Sequence, residues 1–193
     1  MAPWPWFDAN AQHALLAHAG WAIGQPLGLA RQRPAPLPAT IAQQHCGCFV
    51  TLELAGQLRG CTGLIESHEP LATILPQLAR STAFADHRFS PLTVEEAPHM
   101  HLTISLLGPL QPLPASSSAE LAAQLQPGHD GLWLSDGVHS ATFLPSVWQQ
   151  LPMAREFINA LLAKGGWYHW PAGMSAWRYY SHSCSAPLAA QWQ

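Results

Sequence analysis

Cys61 is the residue in this chain with the greatest reach into chemistry. It sits in "QLRGCTGLIESHEP", Gln57–Pro70, two residues after Arg59 and between Gly60 and Gly63. A cysteine acts as a nucleophile through its thiolate, which a neighbouring cation favours. Arg59 supplies such a cation, and its planar guanidinium also matches a carboxylate or phosphate. Gly60 and Gly63 leave room for backbone N–H groups to approach the same anion. Glu66 offers a carboxylate for proton transfer, and His68 and His87 are the nearest imidazoles in sequence. Each has a plain structural alternative. Cys61 would be a small buried residue packed against Phe49, Arg59 an ion-pair partner of Glu53 or Glu66, and Glu66 part of a helix cap.

These side chains need a hairpin to position them. "HCGCFVTLEL" alternates as a strand, with Cys46, Cys48, Val50, Leu52 and Leu54 on one face and Phe49, Thr51 and Glu53 on the other. A two-residue turn would force Ala55 to positive φ, so a three-residue loop, Leu54-Ala55-Gly56, is expected with Gly56 left-handed. Thr51 then lies opposite Arg59 and Phe49 opposite Cys61. Leu58 and Gly60 fall on the core face, while Arg59 and Cys61 project together from the other.

The remaining pattern mixes helices and strands. Asp8 caps a helix that Gly24 and Pro26 stop. "RQRPAPLPAT" reads as an extended connector. A second helix, "PLATILPQLARSTAF", carries Pro76 inside it and should kink or restart there. "HMHLTISLLGPLQPL" is a strand, a short helix follows near Ser118, and Asp136-Gly137 turns a hairpin. A helix runs from about Met153 to Lys164, and "SAWRYYSHS" is a final strand. Tight turns between neighbouring strands favour an α+β fold with an antiparallel-dominated sheet, flanking helices and a smaller second lobe.

Composition narrows the functional classes. The 193 residues are 48% hydrophobic and only 10% charged, with formal net charge −3 and Lys164 the single lysine. A duplex-DNA or membrane-surface binder relies on clustered cations, which are missing here. The opening "MAPWPWFDAN" has no cationic stretch before a long apolar core, and no apolar run reaches the ~20 residues of a membrane span. A cytoplasmic setting with free thiols is expected for Cys46, Cys48, Cys61 and Cys184. His45-Cys46-Gly47-Cys48 and His99-Met100-His101 look like ligand tracts, but the first pair of thiols lies along an apolar strand row and no second knuckle accompanies it. Neither a metal nor a cofactor is expected. Trp167, Trp170 and Trp177, among nine tryptophans, read either as core and rim rings or as a stacking platform for a base or a sugar.

Five blocks in order, "FVTLELAGQLRGCTGLIE", "DHRFSPLTVEE", "LTISLLGP", "GLWLSDGVHSATFLPSVW" and "FINALLAKGGW", resemble the AMMECR-domain family. Its hallmark Leu-Arg-Gly-Cys-Ile-Gly stands here as Leu58-Arg59-Gly60-Cys61-Thr62-Gly63, with Thr62 the one departure. The form is similar to protein A of AmmeMemoRadiSam systems. The resemblance implies a single domain over 7–182 with two lobes and terminal tails at 1–6 and 183–193. It implies a Memo-family protein and a radical S-adenosylmethionine enzyme as partners, and it carries over no catalytic residue. Phe89 should anchor the "DHRFSPLTVEE" loop while Asp86 and Arg88 bond loop backbone. Three functions follow: a binder or modifier of a small anionic group, using Arg59 and either Cys61 or Glu66; a non-catalytic adaptor; and an RNA-associated module, which the acidic charge balance disfavours.

Overall fold

The computed structural model describes residues 4–192, which divide into two compact units, Met1–Leu107 with His182–Gln193, and Gly108–Ser181. Residues 1–3 of the expected N-terminal tail, and residue 193 of the C-terminal one, lie outside the described residues.

The first unit is a four-stranded sheet in the order β2-β1-β3-β8, with β1 Gly47–Leu54 antiparallel to both β2 Gln57–Leu64 and β3 Met100–Leu107, and β8 Ser181–Pro187 at the far edge. Helices α1 (Ala9–Gly24) and α3 (Leu71–Phe84) cover one sheet face, and a short α2 (Ala39–Ala42) follows the proline-rich connector. The alternation read from sequence sets this core: Cys48, Val50 and Leu52 of β1 and Leu102, Ile104 and Leu106 of β3 are buried, together with Leu15 and Ile23 of α1 and Leu71 and Leu75 of α3. The Asp8 side chain accepts the Ala11 N–H at 2.8 Å and caps α1 as expected. Pro76 lies inside α3 without dividing it.

The second unit is a sheet in the order β4-β7-β5-β6, formed by Gln111–Pro112, Ser175–Tyr179, Gly131–Ser135 and Ser140–Phe143. Helices α4 (Ser118–Gln124) and α5 (Ala154–Lys164) bury Leu121, Phe157, Ile158 and Leu161 against Leu132 and Leu134. Ser117 caps α4 by accepting the Glu120 N–H. Asp136 accepts the N–H groups of Val138 and His139, closing the β5–β6 turn, and the indole N–H of Trp167.

The α+β class holds, with two antiparallel-dominated sheets. Two local expectations do not. The final strand is two strands, β7 in the second sheet and β8 (Ser181–Pro187) in the first, separated at Tyr180. Residues 183–192, set apart on sequence as a tail, thus include most of a sheet strand; Leu188 is fully buried, and the Trp192 indole donates to Gly20 O at 3.0 Å.

The β1–β2 turn is also different. Its loop has two residues, Ala55 at φ +50° and Gly56 at φ +76°, with Leu54 opposite Gln57 and Glu53 opposite Leu58. Positive φ at both central positions marks a type I′ turn, whose twist matches that of the flanking strands. A bulge follows, so that Leu52 faces Gly60 and Thr51 faces Cys61. Beyond the bulge the pairing is displaced by two residues from the expected register, and a shift of two preserves side-chain faces. Gly60 therefore reaches the core face and Cys61 the opposite one, as the alternation required. Leu58, before the bulge, is displaced by only one. It leaves the expected core face and is 45% exposed.

Candidate functional site

Strand β2 is an edge, and its outward backbone groups at Cys61 are closed by a two-residue clamp. Asp86 Oδ2 accepts the Cys61 N–H at 2.8 Å, and the Arg88 guanidinium donates to Cys61 O at 2.9 Å. The clamp holds itself together, since Asp86 also accepts from Arg88 Nε at 2.9 Å, from its terminal nitrogen at 2.7 Å and from its backbone N–H at 3.2 Å. Asp86 is buried, and the Arg88 bonds, aided by the Cys61 N–H, hold its carboxyl well below the usual carboxylate range. The pair does for this edge what a further strand would do.

Because its N–H points to Asp86, Cys61 does not spend that group on β1. Thr51 and Cys61 therefore form a non-hydrogen-bonded antiparallel pair, the kind that brings side chains closest. The Thr51 hydroxyl accordingly donates to Cys61 Sγ at 3.3 Å. The thiol is half-buried and lies on the sheet face opposite the core.

Arg59 is the extra residue near the bulge. Its ion-pair partner is neither Glu53 nor Glu66 but Glu96, 37 residues away, gripped by two parallel bonds of 3.2 Å and 3.0 Å. Those bonds lower the Glu96 carboxyl below its ordinary value. Glu96 is itself held in place by a bond from the Thr93 N–H to its carboxylate. The Phe89 ring lies 5.8 Å from the Arg59 guanidinium and 5.4 Å from that of Arg88, so one ring serves two cations.

The glycines are used by the fold itself. A Cβ on Gly60 would come within 2.5 Å of Thr82 O on α3, and one on Gly63 within 2.4 Å of the Phe49 ring. Thr62, where the family hallmark has isoleucine, donates to Leu78 O at 3.1 Å and contacts the buried Thr82 hydroxyl at 2.7 Å; Thr82 also donates to Val50 O at 3.2 Å. A close helix–strand approach thus replaces an apolar contact with a hydroxyl pair.

Glu66 is exposed and makes no hydrogen bond or ion pair among the described residues. The start of α3 has no side-chain cap; Ser67 instead pairs with the backbone of Glu69, and the His68 carbonyl meets His45 Nδ1 at 3.0 Å. Arg59, Gly60, Cys61 and Gly63 thus share one strand, while Glu66, His68 and His87 make no hydrogen bond to Arg59 or Cys61. Burial pushes the Cys46 thiol up to about 11 and Cys184 to about 12, and it also raises Cys48 well above the ordinary thiol value. His101 sits opposite Glu53 on the exposed face. Sequence reasoning missed Glu96 and underestimated Asp86 and Arg88. The only signal was their place in the "DHRFSPLTVEE" block, and no spacing rule connects that loop to β2.

A protein-family model described as AMMECR1 matches residues 18–184. The chain belongs to the AMMECR1 family. Among its relatives, a protein of Methanothermobacter thermautotrophicus is 37% identical over 134 residues, 69% of each chain. Protein MJ0810 of Methanocaldococcus jannaschii is 35% identical over 103 residues, 52% of this chain and 51% of that protein, so the match spans about half the relative's length. In structure, this AMMECR1 chain is similar to the uncharacterized protein PH0010 of Pyrococcus horikoshii. The TM-score is 0.77 at 23% identity, covering 91% of this chain and 90% of the other, and the likeness speaks for the fold. No helix among the described residues is long and apolar enough to cross a membrane.

Proposed function

We propose that this AMMECR1-family chain is a non-catalytic adaptor of an AmmeMemoRadiSam-type system. It works in the cytoplasm with a Memo-family protein and a radical S-adenosylmethionine enzyme, and it presents the β1–β2 hairpin to a partner. One observation carries the reading: the charges around Cys61 are consumed internally. Arg59 is doubly bonded to Glu96, and Asp86 and Arg88 are spent on each other and on the Cys61 backbone. A site that must grip an anionic substrate keeps a cation free for it, whereas a paired scaffold holds a surface in shape. The exposed Leu58 at the hairpin end supplies an apolar contact. Co-expression with the two partners tests this. Wild type and Cys61→Ser are expected to co-purify with at least one partner, and Leu58→Asp to lose it. Failure of the wild type to bind either one overturns the reading.

A second reading, in which Cys61 modifies a bound group, rests on the Thr51 hydroxyl directed at its sulfur. It requires Arg59 to leave Glu96 and hold the anion beside Gly60 and Gly63, and Glu66 to swing in as base. Alkylation of intact protein with iodoacetamide separates the two. Under the adaptor reading Cys61 labels at the same rate in wild type and Arg59→Ala. A several-fold slower rate in Arg59→Ala supports the thiol chemistry instead.

A further inference from the structure

The second unit carries a feature that the hairpin does not explain. Trp177 of β7 lies directly opposite Trp133 of β5, and the two indoles stack with centroids 4.4 Å apart and planes 29° from parallel. Leu132, Leu134 and Ala176, with the opposite parity, are buried in the core, so both indoles stand on the outer face of the sheet, where each is half-buried. Fully core rings would be expected beneath α4 and α5, as Phe157 and Trp148 are, stacked at 3.9 Å.

On the side of Trp177 away from Trp133 lies the short edge strand β4. It ends after only two residues, with Pro112 opposite Trp177. A groove of about 360 Å³ opens at this edge, walled by Trp177, Pro112 and Ser175 and, on its inner side, by the buried Leu113, Met174 and Ala176. That volume lies at the small end of the range for pockets that take small molecules. Ser175 is exposed, shares the outer face with Trp177, and its hydroxyl makes no hydrogen bond among the described residues. It faces Ser135, which faces Ser140, so a row of hydroxyls runs across the sheet beside the row of indoles.

The chemistry of these walls selects a ligand. No ionisable side chain among the described residues lines the groove, so a phosphate or carboxylate gains nothing from them. The face of an indole is electron-rich and attracts the weakly positive C–H groups on one face of a pyranose ring. Hydroxyls at the ring edge then need neutral partners, which serines provide. A nucleic acid would stack as well, but it requires cations along its backbone. We infer that the Trp177 groove is a binding site for a neutral sugar, one pyranose ring seated on the indole with Ser175 at its edge. Trp133 fixes the Trp177 ring from behind, and so removes part of the cost of ordering it on binding.

The test is an amide and indole NMR titration of the whole chain with maltotriose and with cellotriose. Binding is expected in the millimolar to high-micromolar range, about −4 to −6 kcal/mol, with the Trp177 indole and Ser175 amide signals moving together. Trp177→Ala should weaken it about tenfold or more, and Ser175→Ala by about threefold. Ser175→Trp is the control against misfolding, because it fills the groove from an exposed position and should abolish binding with the spectrum otherwise intact. Neither sugar shifting these signals at tens of millimolar (order of magnitude) overturns the proposal. So does a proline-rich peptide that shifts them when the sugars do not, or sugar binding that survives Ser175→Trp.

Discussion

The Asp86 carboxylate holds the main-chain N–H of Cys61 at 2.8 Å, so the most conspicuous thiol in the chain is located through its backbone as well as by the bond its sulfur accepts from Thr51. The same carboxylate grips Arg88, which returns a bond to the Cys61 carbonyl. Removing the Asp86 carboxylate takes the acceptor from the Cys61 N–H and leaves the Arg88 guanidinium only its bond to the Cys61 carbonyl. Asp86→Asn should destabilise the protein by about 2 kcal/mol, within the cost of unsatisfied buried polar groups, read from urea denaturation at neutral pH. The sign of the pH dependence follows from the depressed Asp86 carboxyl. Its contribution is complete above about pH 4, the ordinary aspartate range, and disappears as pH falls from there through the folded-state value. Wild type should therefore lose stability below about pH 4 more steeply than Asp86→Asn. Equal slopes would remove the clamp from the account.

Ala55 occupies a left-handed conformation at φ +50°, followed by Gly56 at φ +76°. An alanine pays roughly 1 kcal/mol for that region, whereas glycine enters it freely. Ala55→Gly is thus expected to raise stability by up to about 1 kcal/mol, less the extra entropy of the unfolded glycine. Thermal unfolding should show a higher midpoint. A lower one would indicate that the turn in solution is not the two-residue form.

Thr62 and Thr82 have two hydroxyl protons for three contacts, to Leu78 O, to Val50 O and to each other. Thr62→Val alone should cost about 1 kcal/mol, because Leu78 O loses its added donor and Thr82 its neighbour. Combining Thr62→Val with Thr82→Val should cost less than the sum of the single changes, since each has already forfeited the shared contact. Strict additivity in a double-mutant cycle would show that the two hydroxyls act independently.

Much of the fold was legible because burial enforces periodicity. Val50, Leu52, Leu102 and Ile104 alternate since one sheet face meets helices, and Asp8 starts α1 by cap chemistry. The turn was misread because propensity ranks Ala55 poorly at positive φ, while the pairing of β1 with β2 outweighs a cost of roughly 1 kcal/mol. The bulge then restored the faces of Gly60 and Cys61, so the orientation of the site survived a wrong loop length. Its partners did not emerge. Glu96 reaches Arg59 across 37 residues, and nearer carboxylates at Glu53 and Glu66 were equally plausible by spacing. The strand break at Tyr180 was hidden because Trp177 through Ser183 alternates without a glycine or proline to mark the change of sheet.

The hydrogen bond from Gly108 N–H to Tyr180 O at 2.8 Å, near both ends of the second unit's segment, has a bearing on the order of assembly. Everything between those two residues can settle against itself once that stretch has left the ribosome. The first sheet waits longer, because β8 and the buried Leu188 come after the intervening unit. During synthesis the later-starting unit can therefore be finished first, while the outer edge of β3 waits for Ser181 and the residues after it.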